Sequence, residues 1–211
     1  MLLYRFIRFI TFPFYWAALK IQGKENRERS HERLGHPTED RPKGDLVWLH
    51  VSDFDESLDI VRGIMSAMPH RAILLTYNTR SEDSRIQYGA GIICQYAPID
   101  TKLTVNNFLR FWEPSLAIRT GAELKPFHLL LLKKYEIPSF LINGELSDKS
   151  YRRWKLIKRT AKKILRNFTF VWALNNKQTL KFANLGVGNI ESQDLPAGNK
   201  IKDILHKIKN K

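Results

Sequence analysis

The residues best placed to do chemistry lie in the run Asp45–Glu56, D-L-V-W-L-H-V-S-D-F-D-E. A short apolar strand, Leu46–Val51, runs directly into a polar turn, and Glu56 opens an amphipathic helix. A carboxylate on such a strand-to-helix turn stands at the carboxyl edge of a sheet, where α/β proteins hold ligands and catalytic groups. The plainer role for Glu56 is to complement the positive end of the helix dipole. Glu123, just before Lys125-Pro126 at a helix start, has the same two readings, ligand contact or cap. So does Asn143, at the end of a strand. His50 also ends a strand and reads as structural rather than catalytic.

A second set of residues suits anions. Lys149–Arg166, K-S-Y-R-R-W-K-L-I-K-R-T-A-K-K-I-L-R, is half Lys or Arg and contains no acid. Tyr151, Trp154, Ile157, Ala161, Ile164 and Leu165 recur at helical spacing. They predict one helix, Tyr151–Asn167, with a buried stripe and a basic outer face. A solvated face is the ordinary fate of such a charge run. Yet like charges at (i, i+4) repel by a few tenths of a kcal/mol per pair, and an anionic partner offsets that. Arg152, Arg153, Lys155 and Arg159 are the candidate phosphate contacts. The partner is either lipid phosphate or a nucleic-acid backbone.

The whole composition agrees. Thirty-five Lys and Arg against 21 Asp and Glu leave a formal charge of +14, which implies an anionic partner. Hydrophobic residues make up 43% and aromatic residues 11%, which excludes general disorder. Cys94 is the single cysteine, so no internal disulfide and no cysteine-based metal site is expected. The six His show no metal-ligand spacing, and neither metal nor cofactor is expected.

The N-terminus, M-L-L-Y-R-F-I-R-F-I-T-F-P-F-Y-W-A-A-L-K, is crowded with aromatics and carries Arg5 and Arg8. Its charge-free stretch is too short to span a bilayer, which needs ~20 residues. Aromatics at headgroup level and arginines reaching phosphates suit a segment lying on a membrane surface. The alternative is a helix packed on the domain's own core, but the aromatics exceed what one core-facing stripe needs, so residues 1–21 are expected to associate with membrane. This apolar segment, and the lack of any nucleic-acid-binding motif, argue against nucleic acid as the partner.

These groups need a scaffold, and the pattern supplies one. Strands are expected at Leu46–Val51, Ala72–Thr76, Ile92–Gln95, Ser115–Arg119, Ser139–Asn143 and Thr169–Ala173. Helices are expected at Ser57–Met68, Ser81–Tyr88, Leu103–Trp112, Pro126–Tyr135, Tyr151–Asn167 and Asn176–Leu185. Gln22–Lys43 reads as a short helix plus linker. Alternating units with apolar strands predict a Rossmann-like α/β domain over 22–196, a parallel sheet with helices on both faces. Residues 197–211 form a basic amphipathic tail, with Ile201, Ile204, Leu205 and Ile208 on one face.

The order of motifs resembles the 3-deoxy-D-manno-octulosonic acid (Kdo) transferases of lipid A assembly, in their N-terminal domain. The family's E-R-x-G is matched by H-E-R-L-G at His31–Gly35, and its W-x-H-x-x-S-x-G-E by Trp48, His50 and Glu56. Its T-x-T-x-T-G-x-x-R region is similar to Thr76–Arg85, and its Y-x-P-x-D to Tyr96, Pro98 and Asp100. E-T-E-L-W-P-N is matched by Gly121–Phe127, and N-A-R-L-S-x-R-S by Asn143–Ser150. The resemblance implies half of a GT-B glycosyltransferase. Glu56 would be the base that takes the proton of an acceptor hydroxyl. Ser52, Asp53, Glu123 and Asn143 would contact a lipid A-type acceptor, an anionic or phosphorylated glycolipid. The protein would sit at the cytoplasmic face of the inner membrane, peripheral or monotopic.

Several positions depart from the pattern. Asp55 replaces the glycine before the base, and the family's Ser falls on Asp53. Gly121, Lys125 and Glu145 replace its Glu, Trp and Arg. No phosphate-cradling glycine loop for a nucleotide sugar is present, so a separate donor-binding chain is expected to be needed. The alternative function is a non-catalytic membrane or lipid-binding module derived from the family. The third is a basic nucleic-acid-binding protein.

Overall fold

The computed structural model describes residues 27–52, 57–78, 91–121, 124–192, 201 and 204. Seven parallel strands form one sheet: β1 Leu46–His50, β2 Ala72–Tyr77, β3 Ile92–Tyr96, β4 Leu116–Thr120, β5 Ser139–Gly144, β6 Phe170–Ala173 and β7 Ile190–Ser192. Their spatial order is β3-β2-β1-β4-β5-β6-β7. The chain builds outward from β1 through β2 to β3, then crosses to the other side of β1 to lay down β4. That places a topological switch point between β1 and β4. All five residues of β1 are buried, as expected of a central parallel strand covered on both faces. The fold is the Rossmann-like α/β fold expected above, with most strand limits within a residue of expectation. The short edge strand β7 was not anticipated.

Six helices are described: α1 Ser57–Ala67, α2 Lys102–Trp112, α3 Pro126–Lys134, α4 Asp148–Leu156, α5 Lys158–Leu165 and α6 Asn176–Asn184. A 3-10 helix, Arg27–Leu34, precedes the sheet. On one face of the sheet Val47, Leu49 and Val51 pack with Ile60, Val61 and Ile64 of α1. Ile201 and Ile204, from the expected tail, are fully buried in the same cluster. On the other face Leu46, Trp48 and Leu74 meet Phe108 and Trp112 of α2 and Leu131 of α3. Leu141 and Val171 meet Ile164 and Leu165 of α5 and Phe182 of α6. Each such buried side chain contributes about 1.5–3 kcal/mol relative to exposure.

Local chemistry sets the helix starts. Thr101, Ser147 and Asn175 accept from the backbone N–H of Thr104, Ser150 and Gln178, capping α2, α4 and α6. Helix α3 has no cap from its own N-terminus. The buried carboxylate of Asp100 takes that role and accepts from the backbone N–H of His128 at 3.1 Å.

The single helix expected over Tyr151–Asn167 is two helices. Ile157 adopts φ −115° and ψ 42°, and its N–H bonds back to Trp154 O, so the i→i−4 ladder stops there. Ile157 is half exposed, and no residue of α4 is fully buried. The buried stripe begins only at Ala161: Ala161, Ile164 and Leu165 of α5 are in the core, while α4 reaches it only through half-buried Tyr151 and Trp154.

Candidate active site at the sheet's switch point

The carboxyl ends of β1 and β4 carry the polar groups of the switch point. Ser52, just past β1, donates its hydroxyl to Thr120 O at 2.8 Å, and its N–H to Thr120 Oγ1 at 3.1 Å. Gly121 follows at φ +76°, and a Cβ there would meet Ser52 Oγ at 2.5 Å. This left-handed turn at close quarters requires glycine. Gly121→Ala is expected to destabilise the protein by about 1–3 kcal/mol, measured as a lowered urea midpoint. An unchanged midpoint would show that the turn relaxes freely.

Behind this edge lies a buried polar layer. In register His50 pairs with Thr76 on one side and Arg119 on the other. The Trp48 indole N–H donates to Thr76 Oγ1 at 2.8 Å, and His50 Nδ1 lies 3.1 Å from the same hydroxyl. Lys125 is almost fully buried and donates to Asn78 Oδ1 at 2.7 Å. His128 is fully buried, and its Nε2–H donates to Pro98 O at 3.2 Å. The His50 and His128 rings are 6.3 Å apart.

Burial, reinforced by the charges of Lys125 and Arg119 and by His128, pushes the His50 pKa well below its ordinary value of 6.5. His50 is therefore neutral at physiological pH and serves as a hydrogen-bonding wall, in keeping with its structural reading. Its folded pKa lies below the unfolded one, so between the two the unfolded chain binds the extra proton. Stability from neutral His50 is whole above about pH 6.5 and is lost as the pH falls toward the folded value. His50→Gln is expected to flatten the stability profile below pH 6.5 by up to about 1.4 kcal/mol per pH unit. Parallel profiles for the two proteins would exclude His50 as the titrating group.

The motif H-E-R-L-G is a clamp rather than a reactive site. Glu32 is fully buried and receives Arg29 Nε at 2.8 Å, Thr38 Oγ1 at 2.6 Å and the Tyr96 N–H at 2.6 Å. Arg33 lies over the Tyr96 ring at 4.3 Å and donates to the backbone oxygens of Ala97 and Asn78. Gly35, at φ +84°, sits where a Cβ would be 2.1 Å from Thr104 O. The 3-10 helix is thus riveted to β3 and α2. Through Asn78 the clamp reaches Lys125.

Asn143, next to the last residue of β5, is in a left-handed conformation, φ +54°, near Gly121, whose N–H donates to Ile142 O at 3.3 Å. The structure thus brings Ser52 and Asn143 to one edge, separated only by the end of β4. Arg152, Arg153 and Lys155 lie exposed on α4 beyond that edge, and Arg159 lies exposed on α5. Asp53, Glu56, Glu123, Arg5 and Arg8 fall outside the described residues, as do Asp55, residues 1–21 and the helix expected at Ser81–Tyr88. The described residues flanking Glu56 are Ser52, at the carboxyl end of β1, and Ser57, the first residue of α1.

Sequence reasoning passed over Arg119, Lys125 and His128 as site residues. Arg119 had a signal: it is a charge inside the apolar run L-A-I-R-T. His128 had none, because a His in an apolar helix looks like any core residue. Among the described residues no cluster of three or more His, Cys, Asp or Glu could hold a metal, and no helix is long and apolar enough to cross a membrane.

Comparison with known proteins matches residues 28–194 to the model of the 3-deoxy-D-manno-octulosonic-acid transferase (kdotransferase) family. A probable mitochondrial 3-deoxy-D-manno-octulosonic acid transferase of Arabidopsis thaliana is 31% identical over 77% of this chain and 38% of its own length. The 3-deoxy-D-manno-octulosonic acid transferase of Rickettsia bellii is 30% identical over 90% of this chain and 47% of its own length. That of Haemophilus influenzae is 26% identical over 80% of this chain and 41% of its own length. The chain spans less than half the length of these curated relatives.

Proposed function

The chain belongs to the 3-deoxy-D-manno-octulosonic acid transferase family as its N-terminal domain, and from that premise we propose that it binds the glycolipid acceptor and supplies the base for transfer. The acceptor is a phosphorylated, lipid A-type glycolipid. Glu56 takes the proton of its attacking hydroxyl, so that the oxygen can displace the donor's leaving group. Ser52, Asp53, Glu123 and Asn143 orient the sugar. The donor, CMP-Kdo, is held by the second domain of the family's enzymes.

The observation that carries this reading is the switch point itself. Ser52, Thr120, Gly121 and Asn143 converge at the carboxyl edge between β1 and β5, the place where open α/β sheets bind ligands. Two buried cations, Arg119 and Lys125, lie just behind it. Their field favours ionised carboxylates and bound phosphate at this edge. The test is binding of a lipid A precursor to the chain alone, then transfer from CMP-Kdo after a relative's donor-binding domain is added. Failure to bind the precursor would end the proposal.

Membrane contact is the second half of the proposal. Arg152, Arg153 and Lys155 stand exposed on α4, Arg159 on α5, and Leu156 between them is 85% exposed. An apolar side chain rimmed by cations suits the headgroup layer of an anionic bilayer. Together with Arg5, Arg8 and the aromatic N-terminus it would hold the protein peripherally on the cytoplasmic face of the inner membrane. Arg152→Ala with Arg153→Ala is expected to weaken co-sedimentation with anionic vesicles by roughly tenfold or more, at about 1 kcal/mol per cation. Equal binding to neutral and anionic vesicles would remove the electrostatic contribution.

One observation favours a non-catalytic lipid-binding module instead. Gly121 stands where the family pattern has Glu, and the close approach of Ser52 leaves no room for a side chain there. The transfer assay separates the two readings, since both require acceptor binding and only the first requires turnover.

A further inference from the structure

A cavity of about 440 Å³ opens between α3 and α5. Helix α3 ends just before β5 and α5 just before β6, so the cavity lies toward the amino edge of the sheet, away from the switch point. Leu130 and Lys133 line it from α3, and Arg159, Lys162, Lys163 and Arg166 line it from α5 and its end. A smaller cavity of about 280 Å³ shares Lys133 and Arg166 and reaches the starts of β5 and β6. Glu136 is the one acid lining either cavity.

Basic residues in the last turn of a helix complement its dipole, and that explains one or two of these charges. It does not explain five in one concavity. Arg159, Lys162, Lys163 and Arg166 fall at i, i+3, i+4 and i+7, so they form one stripe and repel one another. None of the five cations is ion-paired or hydrogen-bonded to an acid among the described residues. The aliphatic stem of Lys162 is held against Gly186, where an added Cβ would meet Lys162 Cγ at 2.5 Å. A concave site with one sign of charge concentrates counter-ions. Two Arg and three Lys supply forked and point donors that match phosphate oxygens.

We propose that the α3–α5 cavity is a binding site for a phosphate-bearing anion, separate from the acceptor site at the switch point. The ligand is a diphosphate or phosphomonoester group, carried on a soluble metabolite or on a lipid headgroup. The proposal does not rest on the transferase reading.

The experiment titrates the 211-residue chain by calorimetry with inorganic pyrophosphate and, separately, with monomeric dihexanoyl phosphatidic acid. Lys163→Ala with Arg166→Ala alters the cavity. Lys102→Ala with Arg110→Ala removes the same charge from α2, outside it. All four side chains are exposed, so neither pair perturbs the core. Binding of either probe is expected to weaken roughly tenfold or more in the cavity pair and to stay within about twofold in the α2 pair. The tighter probe then identifies the source, soluble phosphate or headgroup. Absence of binding by both probes at low salt would overturn the proposal. Equal losses in the two pairs would also overturn it, because only net charge would then be acting.

Discussion

Glu56→Gln is expected to reduce transfer by roughly 10²–10⁴-fold while acceptor binding stays within a few-fold of the parent. The amide keeps the size and the hydrogen-bonding reach of the carboxylate but cannot take a proton. The signature is therefore a fall in kcat with KM for the acceptor little changed. The measurement needs the chain, a donor-binding domain from a relative, CMP-Kdo and a lipid A precursor. Asp55 sits beside Glu56 in sequence, so Asp55→Asn is the companion variant. If Glu56→Gln turns over normally and Asp55→Asn does not, the proton goes to Asp55. If both turn over normally, no carboxylate of this turn is the base.

The largest loss of stability is expected from Glu32→Ala, about 3–5 kcal/mol, the usual result of breaking a buried ion pair from one side. Glu32 is fully buried and gathers the Arg29 guanidinium, the Thr38 hydroxyl and the Tyr96 N–H. Its removal leaves a largely buried guanidinium and a backbone donor without their acceptor. A domain holds only about 5–15 kcal/mol in all, so the variant is expected to unfold at a much lower urea concentration. The loss should also loosen the switch point, since Arg33 and Lys125 both hold Asn78. A drop below about 1 kcal/mol would mean that water replaces the carboxylate and that the clamp does not tie the 3-10 helix to β3.

The strands and helices were legible because their signals are local. L-V-W-L-H and A-I-L-L-T-Y are apolar runs of strand length, and K-P-F-H marks a helix start by its proline. The family motifs were legible as residue types in order. Their division of labour was not. E-R-x-G carried no role in the sequence beyond its place in the family pattern, and the burial of Glu32 against Tyr96 makes it a structural clamp. Gly121 looked like a loss from the family pattern. Its positive φ and the proximity of Ser52 make it a requirement of the turn as built here. The basic run looked like one helix, since the period of its apolar residues continues through Ile157. The two halves differ in burial, with no residue of α4 fully buried and three of α5 in the core, and a pattern read along one segment cannot register that.

The amino-acid sequence by itself determined the α/β class, the cationic balance, the family, and Glu56 as the carboxylate to test. Each follows from local periodicity, from composition, or from residue types in a fixed order. The tertiary structure alone decided the strand order β3-β2-β1-β4-β5-β6-β7, and with it the switch point that brings Ser52, Thr120, Gly121 and Asn143 to one edge. It alone buried Arg119, Lys125 and His128 behind that edge, and it alone placed five cations around a cavity between α3 and α5. Pairing partners are chosen by contacts between residues far apart in the chain, and burial is the sum of such contacts. No local pattern carries either, so those assignments had to wait for the folded molecule.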